Sequence, residues 1–202
     1  MQAIRNLASA VSPDPAPVSI PVHPTFLTQS GHVFHFALPG HSMLSVEDIA
    51  HGLANLCRFG GHTTPFYSIA QHAVLTSRLV PPGDALAALF HDAPKAVLGN
   101  VQTALKPLLP DYCALEARVL QAVHQKLHLP WPAPASIRAA GLIMRATERR
   151  DLLPPHELAW PELAGVTPLP ECLVPLPPEA AREAFLQRYH ELTAQRGRPC
   201  LV

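Results

Sequence analysis

Prolines partition this chain more forcefully than any other feature. They number 24 in 202 residues, about 12%, against a usual ~5%. Each locks φ and removes a backbone donor, so a helix that meets one is kinked or ended. Residues 1–24 carry five of them with no periodicity and read as an extended arm. Pro81-Pro82-Gly83, Pro94, the Pro-Trp-Pro-Ala-Pro linker at 130–134 and the proline-rich stretch 153–178 cut the rest into short pieces. Pro178 suits the first turn of a last helix.

Between these breaks the apolar spacing is helical. Ser45 followed by Asp48 resembles a capping box, and Val46, Ile49, Leu53 and Leu56 form one stripe ended by Gly60-Gly61. Ser68 caps a helix over 69–79. Asp84 caps a third, to Leu98, interrupted at Pro94. Asp111 opens a fourth carrying Leu115, Val119, Val123 and Leu127, and Ser136 caps a fifth reaching Asp151. The last, about 178–195, has Ala181, Phe185, Leu186, Tyr189 and Leu192 as its apolar side. Residues 25–38 alternate as a small hairpin around Ser30-Gly31. The reading is an all-α domain over 25–202 with a small N-terminal β-hairpin, preceded by the 1–24 arm.

Composition narrows the function classes. Lys+Arg and Asp+Glu are both 15, so no long-range field draws the chain to nucleic acid or an anionic membrane. The cysteines at 57, 113, 172 and 200 lie too far apart for a zinc ribbon or a small disulfide framework. No apolar run reaches the ~18 residues of a membrane span, and the N-terminus is a poor secretory signal. A cytoplasmic protein is expected.

Of twelve histidines, nine read as surface or packing residues. The others are His62, after the glycine break, His72, within the apolar AQHAVL, and His91, which precedes Asp92 at the end of LAALF. Burying His91 and Asp92 unpaired costs several kcal/mol. A metal ion or a hydrogen-bonded core pair would each satisfy them.

The ordered strings VEDIAHGL, RFGGHT, FYSIAQH, HDAP, LGN-x-x-TALK and ATERRDLLPP, spread over about residues 25–192, resemble the HD-domain phosphohydrolases. The likeness is to bacterial and phage nucleotide phosphohydrolases of the 5′-deoxynucleotidase and dATP-triphosphohydrolase kind. It implies a helical HD bundle, self-association, and a divalent metal (Mn, Co, Zn or Mg) held by His72, His91 and Asp92. It implies phosphate contacts from Arg58 and Lys106, a base or sugar contact from Phe59, and His62 facing the same pocket.

Three departures from the family pattern coincide. Lys95 stands where HDA-x-E places a water-activating Glu. Asn100 replaces the Asp of LGD. Gly141 replaces the Asp of an AAD string that supplies the fourth metal ligand. The catalytic positions thus fall to Lys95 and Asn100, and the site gains about four positive units. A Lys ammonium ~6 Å from a divalent ion is repelled by roughly 5 kcal/mol at an effective dielectric of about 20. Glu148 is ~10 Å along the helix from Gly141 and reads, with Asp151, as a salt-bridge residue. The expectation is a nucleotide or phosphate pocket with its metal weakly held or absent and its catalysis impaired. An active hydrolase with altered ligands is the alternative, because three protein ligands suffice in catalytic zinc sites.

Overall fold

A computed structural model describes residues 24–196; residues 1–23, which hold nearly all of the expected arm, lie outside them. Two strands, β1 (Thr25–Leu27) and β2 (Val33–His35), pair antiparallel with Phe26 opposite Phe34. Among the described residues seven α-helices follow: α1 (Val46–Asn55), α2 (Ile69–Arg78), α3 (Ala85–Leu89), α4 (Lys95–Leu98), α5 (Pro110–Lys126), α6 (Ala135–Leu152) and α7 (Pro178–Arg196). The fold is mostly α with a small hairpin. Among the described residues no helix is long and apolar enough to cross a membrane.

The core lies where α1, α2, α3 and α7 meet. Residues of α2 are buried almost throughout, because α1, α3, α6 and α7 all pack around it. Helix α7 presses Ala181, Phe185 and Leu192 into this centre, with Leu186 and Tyr189 partly buried beside them, as its spacing predicts. Burying a side chain the size of Phe185 stabilises by roughly 1.5–3 kcal/mol. The α1 and α5 stripes also face inward, through Ile49, Leu53, Val119 and Val123.

Two glycine positions matter here. A Cβ on Gly52 would lie 2.9 Å from Ala96 Cβ, so only glycine lets α1 approach α4 this closely. Gly99, with φ +76°, turns the chain out of α4, and the Tyr112 hydroxyl pins that end by donating to its carbonyl. Together they fix Lys95 and Asn100.

Several boundaries differ from expectation. Helix α1 ends at Asn55, before Gly60-Gly61, because Leu56 turns extended into an antiparallel bridge between Cys57 and Ser68. Ser45 and Ser68 cap as expected, accepting from Asp48 N and Gln71 N. Asp84 and Ser136 cap nothing: the Ser136 hydroxyl donates to Asp84 Oδ2 at 2.6 Å, tying α6 to the start of α3. The segment expected to run helically to Leu98 with an interruption at Pro94 already stops at Leu89, and a turn over 90–94 carries His91 and Asp92 before the helix resumes at Lys95. Residues 153–177 cross the surface with one short turn, Pro161–Leu163.

Candidate functional site

Four stretches converge on one side of α2. The Cys57–Ser68 bridge, with Arg58 N donating to Tyr67 O, closes the loop that delivers Arg58. Helix α2 delivers His72, the turn before α4 delivers His91 and Asp92, the start of α4 delivers Lys95, and α6 delivers Glu148. The potential ligand atoms of His72, His91 and Asp92 lie within 4.8 Å of one another.

Glu148, fully buried, is the hub. Its Oε2 accepts from Arg58 Nη2 at 2.6 Å and its Oε1 from His72 Nδ1 at 2.6 Å. Burial pushes this carboxyl up, but the Arg58 charge and the His72 contact overcome it and hold it at about 2. His72 is driven the other way. Burial and the neighbouring Arg58 lower it from 6.5 to about 4, so the ring is neutral near pH 7.

Tautomers follow from the partners. A carboxylate only accepts, so His72 carries its proton on Nδ1 and leaves the lone pair on Nε2, 3.5 Å from the Thr76 hydroxyl. His91 Nδ1 donates to Ala88 O at 2.7 Å, which likewise leaves its lone pair on Nε2. Asp92 Oδ2 is buried without a hydrogen-bond partner, 3.5 Å from His91 Nε2 and 3.9 Å from Arg58 Nη1. A ring nitrogen from each imidazole and a carboxylate oxygen of Asp92 therefore lie within 4.8 Å of one another. That donor set suits a cation, and the carboxylate behind His72 is the kind of contact that orients a metal-ligating imidazole. The other Asp92 oxygen accepts from Lys95 Nζ at 2.8 Å.

These residues form the inner end of a cavity of about 510 Å³, within the usual size of small-molecule sites (~300–1,000 Å³). Arg58, Phe59, His72, His91, Asp92, Lys95, Asn100 and Lys106 all line it. His62 does not: Phe59, Gly60 and Gly61 take φ of 51°, 63° and 83°, and this left-handed run throws His62 into solvent. A left-handed backbone is costly for a residue as bulky as Phe; here it aims the ring at the cavity. Lys106 pairs with Glu116. Asn100 Nδ2 donates to Cys57 O at 3.1 Å, bracing the Arg58 loop. At Gly141 a Cβ would meet nothing within 4 Å.

The lining residues that the sequence reading missed include Arg138, Arg145, Trp160 and Glu162. The Trp160 ring lies 6.1 Å from Phe59, with the guanidinium groups of Arg145 and Arg149 over it at 5.1 and 5.0 Å. Arg138 and Arg145 flank Gly141 at helical spacing, a signal present in the sequence; nothing local marks Trp160.

No family model matches the chain. It is 41% identical over 171 residues to the uncharacterized protein YfdR of Escherichia coli K12, an alignment spanning 84% of this chain and 96% of that protein. It is 36% identical over 168 residues to an uncharacterized protein of Rhodobacter capsulatus, across 74% and 85% of the two chains.

Proposed function

The chain belongs to the family of YfdR, and on that premise we propose that its cavity binds a nucleotide or a similar phosphate ligand, on a scaffold of the HD-domain phosphohydrolase type whose hydrolytic chemistry is impaired. One observation carries this reading. Of the two carboxylates that line the cavity among the described residues, Asp92 is held by Lys95 and Glu162 by Arg145. Each is thus paired with a cation, the second Asp92 oxygen stays unbonded, and the position where the HD pattern places a base holds an ammonium. Five cationic side chains share the lining, and charge-assisted bonds from Arg and Lys suit phosphate oxygens. Phe59 and Trp160 add aromatic surface for a base.

A second reading, an active metal-dependent phosphohydrolase, is favoured by the closeness of the His72, His91 and Asp92 ligand atoms and by the orphaned Asp92 oxygen. These three residues would hold a divalent ion, which would polarise phosphoryl oxygens and acidify water. In this reading Glu148 fixes the His72 tautomer, and Arg58 neutralises phosphate charge.

Phosphate release from nucleoside mono- and triphosphates with Mn²⁺, Co²⁺ or Zn²⁺, run beside calorimetric binding, separates the two. Binding without turnover is expected. Turnover that His91→Ala abolishes overturns the impaired reading. The lost acids also define a gain-of-function test. Lys95→Glu with Gly141→Asp should raise bound divalent metal toward one ion per chain, because the new Asp enters open space. Asn100→Asp belongs in a separate variant, since it removes the bond to Cys57 O. Absence of metal from a folded Lys95→Glu/Gly141→Asp variant refutes the mapping of these positions.

A further inference from the structure

We infer that Arg138 contacts a second phosphate, so that the cavity takes linked phosphates in preference to a single one. The inference rests on the phosphate-binding reading above and deepens it.

Four of the five cations that line the cavity already have carboxylate partners. Arg58 pairs with Glu148, Lys95 with Asp92, Lys106 with Glu116 and Arg145 with Glu162. Arg138 has no carboxylate partner among the described residues, and it is exposed. An exposed, unpaired arginine is ordinary on a free surface. This one stands on a cavity wall where every neighbouring cation is neutralised.

Position strengthens the point. Arg58 and Lys95 are deep, with side chains 13% and 10% exposed, whereas Arg138 is at the solvent side. Arg138 and Gly141 are one turn apart on α6, and the space above Gly141 is open. The open space at Gly141 leaves room for an anion against α6 on the way to Arg138. A phosphate chain offers an oxygen to the deep cations and another to Arg138, and the guanidinium fork matches its terminal oxygens in a way an ammonium does not.

The test titrates the full chain with orthophosphate and with pyrophosphate, at fixed ionic strength and with a chelator present. Pyrophosphate is expected to bind about tenfold more tightly, the size of one good charge-assisted contact. Arg138→Gln should remove most of that preference while leaving orthophosphate affinity within about twofold, and Arg138→Lys should restore only part of it. Equal affinity for the two anions, or an unchanged preference in Arg138→Gln, overturns the inference and leaves the phosphate site standing. Failure of both anions to bind the wild-type chain overturns the phosphate reading and this inference with it.

Discussion

Asp48 and Glu148 are both buried carboxylates beside a histidine, and they use that arrangement differently. Asp48, in the first turn of α1, accepts from Ser30 N, Ser30 Oγ and Ser45 Oγ at 2.7–3.0 Å, with His32 Nδ1 at 3.3 Å. Those partners button the hairpin turn onto the helix. Glu148 takes its two bonds from a buried guanidinium and a buried imidazole, and both of those side chains line the cavity. A carboxylate held by hydroxyls can lose its charge and leave neutral groups that find other partners. One that neutralises a buried guanidinium leaves a stranded charge. The first arrangement builds a joint, and the second builds a site that stays charged out of water.

The largest expected effect follows directly. Glu148→Gln keeps the shape but leaves Arg58 buried with only Asp92 nearby at 3.9 Å. Breaking one side of a buried ion pair costs about 3–5 kcal/mol, readable as a lower urea midpoint. Anion binding should fall with it, because Arg58 and His72 lose their anchor.

Acid probes the same contrast. Glu148 lies at about 2 against an ordinary 4.5. A lowered carboxylate contributes fully above its unfolded value, and that contribution is lost as pH falls from 4.5 through 2. His72 lies at about 4 against 6.5. Unfolded, it takes a proton that the folded ring refuses, so stability falls from pH 6.5 toward 4. The signs agree, and His72 acts first on acidification. Each gap corresponds to on the order of 3 kcal/mol, and the shared hydrogen bond makes their joint effect smaller than the sum. Unfolding midpoints measured from pH 7 to 3 should fall steadily. A flat profile breaks the account of the site.

Asp48→Asn comes next. Burial raises this carboxyl, and the Ser30 hydroxyl and amide, Ser45 and His32 together pull it well below the usual range. Loss of its charge with the hydroxyl donors left in place costs about 1–3 kcal/mol, and anion binding should be unchanged. Equal costs for Asp48→Asn and Glu148→Gln would erase the distinction between joint and site.

The joint was more legible in the sequence than the site. Ser45 and Asp48 are three residues apart, and a cap is a local device; the same holds for Ser68. The apolar stripes of α1, α5 and α7 survived because burial follows a period that the sequence displays. The hub did not show itself, since Glu148 meets Arg58 and His72 across 90 and 76 residues, and on α6 it looks like any acid flanked by arginines. The HD strings brought Arg58, His72, His91, Asp92, Lys95 and Lys106 to one place. They carried no sign of Trp160, which lies in a stretch without periodicity, or of the path of the Arg58 loop, which Asn100 braces. His62 was misplaced because the orientation of a residue after Gly-Gly depends on φ signs that composition does not fix.

The smallest effect concerns a third carboxylate and extends the series to its weak end. Asp84 and Ser136 each sit where a helix cap is expected, yet their side chains bond each other across 52 residues. If each were a cap, Asp84→Ala and Ser136→Ala would each cost about 1 kcal/mol, and the double variant would cost the sum, because distant independent sites add within a few tenths. A mutual bond predicts otherwise. Either single variant removes the whole contact, so the double variant costs little more than one alone, with a coupling of about 1 kcal/mol. Three urea curves against the wild type decide it. Additivity would restore the local reading of α3 and α6. Coupling would make Asp84 the neutral-donor limit of the series: Glu148 holds a guanidinium and a neutral imidazole, Asp48 two hydroxyls, an amide and an imidazole, and Asp84 a single hydroxyl, with the cost of each loss falling in that order.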